Sequence, residues 1–150
     1  MSWDTQTAAR TLAQEARGEP LAGQQAVAWV IRNRLNSGRW GRSLASVCLW
    51  HAQFSGWWCP RGTPAYYDPN FAYACSLHDD DPVLVKLTDV ITSVMAAQQS
   101  DDPTDGATHY HALSMKVPPT WASTMRFVGN FGNQAFYADQ PKATIGTISA

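Results

Sequence analysis

The sequence predicts an α+β fold, with helices first and a small antiparallel sheet near the C-terminus. Three observations predict it. Apolar residues follow the helical period in several stretches up to residue 95. Short aromatic-rich segments that read as strands appear only after residue 106. The chain has 150 residues, 45% hydrophobic and 15% charged, which suits a single domain over 1–150. A chain of that length buries about 70% of its unfolded surface.

The elements follow in order. Asp4 or Thr5 can cap a first helix that carries Ala9, Leu12, Ala13 and Ala16 on one face, and Gly18 and Pro20 end it. A second helix is predicted over 22–36, where Ala26, Val27, Val30, Ile31 and Leu35 keep the helical period and Trp29 joins that flank. Ser43 can cap a short third helix that runs through Val47. Residues 49–68, rich in Trp, Gly, Pro and Ser, read as an ordered loop. Asp68-Pro69 opens a short helix, with Asp as cap and Pro in the first turn. Asp81-Pro82 repeats that signal before a stripe of Val83, Leu84, Leu87, Val90, Ile91, Val94 and Met95. Residues 100–106 form an acidic turn. Strands are predicted at 108–112, 125–128 and 134–137, with 129–133 as the turn between the last two. Residues 141–150 read as a frayed tail.

Composition narrows the function. Eleven basic and twelve acidic side chains give a net charge of −1. Without a basic excess, nucleic acid and stable membrane association are not expected as partners. The three cysteines, Cys48, Cys59 and Cys75, form no CxxC pattern, so neither a disulfide scaffold nor a structural zinc site is expected. The N-terminus shows no signal-peptide pattern, and the longest apolar run, 26–31, is far too short to span a bilayer. The expectation is a monomer made in the cytoplasm. Seven Trp and five Tyr suit stacking on sugar faces as well as core filling. Ten acidic residues are Asp and only two, Glu15 and Glu19, are Glu.

Three clusters can carry chemistry. Glu15 ends an amphipathic helix between the small residues Ala13 and Ala16. A carboxyl held against apolar packing stays protonated near neutrality, as a general acid must. Gln53, Phe54, Ser55 and Trp57 form a candidate sugar-binding wall, with Phe54 the member most readily explained as packing. His109 and His111 share one strand face and Tyr110 takes the other. Two His can bind zinc with His51, His78 or an Asp as a further ligand. No third ligand is placed by the pattern, so no metal or other cofactor is expected. Tyr110 can aim its hydroxyl into a cleft.

The run from Ala9 to Pro20, containing Glu15-Ala16-Arg17-Gly18-Glu19, continues through Gly23-Gln24-Gln25-Ala26-Val27-Ala28 to Asn33-Arg34. It resembles the opening motif of the SleB/CwlJ-type cell wall hydrolases, the spore cortex-lytic family. Val47-Cys48, Gln53-Phe54-Ser55, the segment 106–111, Pro119-x-Trp121-Ala122 and Gly132-Asn133-x-x-Phe136-Tyr137 match that family in order, over about residues 7–138. The resemblance implies a lysozyme-like fold, peptidoglycan glycan strands as substrate, and Glu15 as catalytic acid. Glu19, Gln53, Phe54, Ser55, Trp57, His109, Tyr110 and Asn133 are then the expected substrate-binding residues. Gln134 stands where the family often has His. With no signal peptide and no separate wall-binding module in view, the chain resembles a phage or prophage endolysin, released through a holin to act on the wall.

One strong carboxyl fits a lytic transglycosylase, which needs no water nucleophile. The expected reaction breaks the β-1,4 bond between N-acetylmuramic acid and N-acetylglucosamine and leaves 1,6-anhydro ends. The alternatives are a muramidase with Glu19 or Asp105 as base, a zinc amidase on His109 and His111, and a non-catalytic glycan-binding module.

Overall fold

The computed structural model describes residues 2–50, 53, 54, 57 and 69–141. Within them the α+β expectation holds: five helices precede a three-stranded antiparallel sheet. Most of the predicted loop 49–68, Ser55 included, and residues 142–150 lie outside the described residues.

Helix α1 spans Trp3–Ala16. Its cap is Ser2, two residues before Asp4: the Ser2 hydroxyl accepts the Thr5 amide at 3.1 Å. The apolar count begins late because the first turn is polar. Asp4, the expected cap, instead accepts the Ala45 amide at 2.9 Å. Four alanines of α1, Ala8, Ala9, Ala13 and Ala16, are buried with Leu12. Small side chains let neighbours approach closely, and four other helices pack around α1.

Helix α2 (Leu21–Ser37) follows Pro20 and ends at Gly38, whose φ of +71° returns its N–H to the Leu35 carbonyl. Helix α3 (Leu44–Cys48) opens with a reciprocal Ser43–Ser46 capping box, so Ser43 is the cap expected. Helix α4 is Pro69–Ser76. Helix α5 (Pro82–Ala96) is capped by Asp81, which accepts the Val83 amide at 2.9 Å. Its stripe Leu84, Leu87, Val90, Ile91 and Val94 is buried.

The strands are β1 (His109–Ala112), β2 (Arg126–Phe131) and β3 (Gln134–Ala138), in the order β1-β3-β2. The expected turn at 129–133 is a correction: β2 continues through Phe131, and only Gly132 and Asn133 turn. Gly129, with φ of +153°, lies at a register shift after Phe127. It marks a bulge within the strand rather than its end. Register sets Tyr110 opposite Phe136, on the face toward the helices, and His109 opposite Tyr137 on the other face.

Candidate active site

Glu15 lies half-buried in the last turn of α1. The helix stops there because Gly18 and Pro20 follow, and the Glu19 amide closes back on the Ala16 carbonyl at 2.9 Å. A cavity of about 360 Å³ opens at this helix end, lined by residues 14–19 and Asn70. Glu15 is thus held by a rigid helix while a cavity opens beside it.

Strand β1 brings Tyr110 to the same carboxyl. The Tyr110 hydroxyl donates to Glu15 Oε2 at 2.7 Å, and its ring stacks on Phe136 with centroids 5.4 Å apart. Burial pushes the phenol well above its ordinary pKa of 10.0, and the Glu15 charge and hydrogen bond add to that. Tyr110 is therefore a fixed hydrogen-bond donor to the Glu15 carboxyl and keeps its own proton.

Behind the pair lies Arg34 of α2, only 4% exposed. Its guanidinium is stacked between Trp40 and Phe54, 4.9 and 5.0 Å from their ring centroids. Nε donates to the Thr108 carbonyl at 2.8 Å, just before β1. Burial lowers the Arg34 pKa, while Tyr110, Cys48 and Glu15 act in the opposite sense. Sequence reasoning did not assign Arg34 a role. Its one signal is position, beside Ile31 and Leu35 on a helix whose other buried residues are mostly apolar.

Glu19 is engaged elsewhere. Its Oε2 accepts both the Asn133 amide, at 2.9 Å, and the Asn133 side-chain Nδ2, at 3.1 Å. These two expected substrate-binding residues therefore meet each other, at the edge of the Glu15 cavity.

The remaining candidates separate. Gln53 is exposed, but Phe54 is 1% exposed and packs under Arg34. Phe54 is a core residue and offers a substrate no face. Trp57 is half-buried and donates Nε1 to Thr11 Oγ1 at 3.0 Å, with its ring edge against Phe71. His109 and His111 lie on the sheet face turned away from Tyr110. His109 packs 5.0 Å from Trp121, and its Nδ1 is 2.9 Å from Thr108 Oγ1. Burial, then the Arg34 charge, lowers its pKa to about 4, so it is neutral at ordinary pH. His111 Nε2 is 3.1 Å from the Tyr137 hydroxyl. No group of three His, Cys, Asp or Glu among the described residues is placed to hold a metal ion. No helix among them is long and apolar enough to cross a membrane.

Two solved structures share this fold. One is the catalytic domain of the germination-specific lytic transglycosylase SleB from Bacillus anthracis, 24% identical, covering 91% of this chain and 96% of that one, with a TM-score of 0.62. The other is the catalytic domain of the Bacillus cereus SleB protein, 25% identical, covering 89% and 88%, also with a TM-score of 0.62. The fold is the lysozyme-like one that the motifs imply. Among curated proteins no significant match is found. The sequence model of the cell wall hydrolases matches residues 18–137, a span that begins after Glu15 and takes in Glu19, Tyr110 and Asn133. That match extends over most of the chain, and the chain belongs to the cell wall hydrolase family.

Proposed function

We propose that this cell wall hydrolase is a lytic transglycosylase that cleaves the β-1,4 bond between N-acetylmuramic acid and N-acetylglucosamine, with Glu15 as its single acid and base. The observation that carries the reading is the Tyr110–Glu15 contact of 2.7 Å, which fixes a carboxyl that lines the cavity. It fixes one carboxyl where a glycan strand can lie. The description of the Bacillus anthracis relative as a lytic transglycosylase supports the same chemistry.

The steps balance around that one group. Protonated Glu15 gives its proton to the glycosidic oxygen as the bond from the muramic acid C1 breaks, and N-acetylglucosamine leaves with a free hydroxyl. The substrate's own acetamido group can stabilise the positive charge at C1. Ionised Glu15, steadied by the Tyr110 donor, then takes the proton from the muramic acid 6-hydroxyl as that oxygen closes onto C1. A 1,6-anhydro ring forms and Glu15 is protonated again. Using one residue as acid and then base requires both forms to be accessible near the working pH.

Digesting purified peptidoglycan and identifying the fragments by mass spectrometry tests this. Anhydro-muramoyl ends support the reading. Reducing ends indicate a muramidase, freed stem peptides an amidase, and binding without cleavage a glycan-binding module.

A further inference from the structure

We infer that Glu19 is a positioning residue: its carboxylate latches the Gly132–Asn133 turn onto the end of α1, and the latch holds in place the wall of the Glu15 cavity that Glu19 itself forms. The inference rests on the assignment of Glu15 as the acting carboxyl.

The geometry is a two-point clasp. Glu15 and Glu19 leave the same helix end, and each holds a different part of the sheet. Glu15 takes the Tyr110 hydroxyl of β1. Glu19 takes the backbone and side-chain N–H groups of Asn133, between β2 and β3. The circuit closes through the sheet, because the Asn133 carbonyl accepts the Leu113 amide at 2.9 Å, one residue past β1.

The close fit shows in the glycines. Gly132 has a φ of +59°, and a Cβ there would collide with Glu19 Oε2 and press on Pro20. Only glycine allows both the turn and the approach. On the other side, a Cβ on Gly23 would lie 3.1 Å from the Glu19 Cβ, so the Glu19 side chain runs between α2 and the turn. A carboxylate accepting two N–H groups this way is a fixed bracket, and hydrogen bonds to a charged acceptor are stronger than neutral ones.

A water-activating base would behave otherwise. It needs an oxygen directed at the sugar, and its loss would strike the chemical step. A latch acts through the wall, so its loss weakens substrate binding more than it slows the bound complex.

The test uses the intact chain with soluble, uncross-linked peptidoglycan glycan strands. Initial rates against strand concentration give kcat and KM, fragment ends are identified by mass spectrometry, and thermal midpoints check the fold. Glu19→Ala is expected to raise KM about tenfold and to lower kcat by no more than about threefold. Glu19→Gln, whose amide oxygen can still accept an Asn133 N–H, is expected to recover most of that loss. Asn133→Ala should resemble Glu19→Ala, and the double variant should be no worse than either single one. If Glu19→Ala does not fold, Glu19→Gln and Asn133→Ala carry the comparison. The inference is overturned if Glu19→Gln loses about a hundredfold in kcat, which marks an acid or base. It is overturned equally if the two single losses add, which marks separate substrate contacts, or if neither variant changes KM. The proposed reaction stands or falls on a different readout, the anhydro or reducing ends that the wild-type protein makes.

Discussion

The Tyr110 hydroxyl donates to Glu15 Oε2 at 2.7 Å across 95 residues of sequence. The contact joins the end of α1, which lines the cavity, to the edge strand β1. Burial keeps the phenol protonated, so Tyr110 donates in this contact and orients the Glu15 carboxyl. In the reaction proposed for Glu15, such a partner serves the form that acts as base.

Glu15→Gln is expected to abolish peptidoglycan cleavage, by at least about a hundredfold, while circular dichroism and the thermal midpoint change little. The amide keeps the shape and can still accept from Tyr110, but it cannot give up a proton as an acid, and lost general acid catalysis costs about 10² to 10⁴ in rate. Turbidity loss of purified cell walls measures it. Wild-type clearing by purified Glu15→Gln would remove Glu15 from the mechanism.

Tyr110→Phe keeps the ring on Phe136 and deletes only the donor. One lost hydrogen bond to a charged group is worth about 1.5 to 3 kcal/mol, so a fall in kcat of about tenfold or more is expected. The pH profile should keep its number of limbs, because Tyr110 does not titrate in the working range. A new or missing limb would show Tyr110 itself exchanging the proton.

How much of this was legible in the sequence depends on distance along the chain. The helices of the core were readable because their signals are local, such as the stripe of α5 and the Ser43 and Asp81 caps. Glu15 stands out because the chain holds only one other Glu, and the Tyr110–Glu15 contact follows from the strand alternation that separates Tyr110 from His109 and His111. The α1 cap was misplaced because its first turn is polar, and the end of β2 was misread because Gly129 marks a bulge as readily as a turn. Two features depend on the fold. Arg34 has only its place beside Ile31 and Leu35 to mark it, until the fold buries it between Trp40 and Phe54. The partner of Glu19 is Asn133, 114 residues away.

EDTA is expected to leave activity unchanged. His109 and His111 are drawn into contacts with Thr108, Trp121 and Tyr137, and no further ligand joins them among the described residues. Cleavage assays with and without chelator decide it. Inactivation that added zinc restores would revive an amidase built on the two histidines.

Cys48 should resist iodoacetamide in the folded protein at pH 8, while exposed Cys75 reacts. Cys48 is fully buried, and burial raises its pKa to about 12. The thiolate is the reacting species, so Cys48 lacks both access and charge. Peptide mapping after native and denaturing alkylation reads the difference. Native modification of Cys48 would mean that the packing of α3 against α1 opens readily.

The last prediction concerns acid stability. Packing against Trp121 and Trp40, with the buried charge of Arg34 near, favours the neutral form of His109 and holds its pKa near 4, below the ordinary 6.5. Between those values the unfolded chain binds more protons at this site than the folded one, so stability rises with pH across the window. The contribution is fully present above pH 6.5 and is lost as pH falls toward 4. Asp139 acts in the opposite sense and Arg39 in the same sense as Arg34, so the window belongs to the whole cluster. His109→Phe keeps a ring between the two indoles and removes the titrating group. Its thermal midpoint should fall less steeply than that of the wild type from pH 6.5 to 4, even if it is lower at neutral pH through loss of the Thr108 contact. Carboxylates titrate in both proteins and cancel in the difference. Parallel curves for the two proteins would show that His109 carries its proton in the fold, and that the aromatic cluster on the outer face of the sheet is looser than its ring contacts imply.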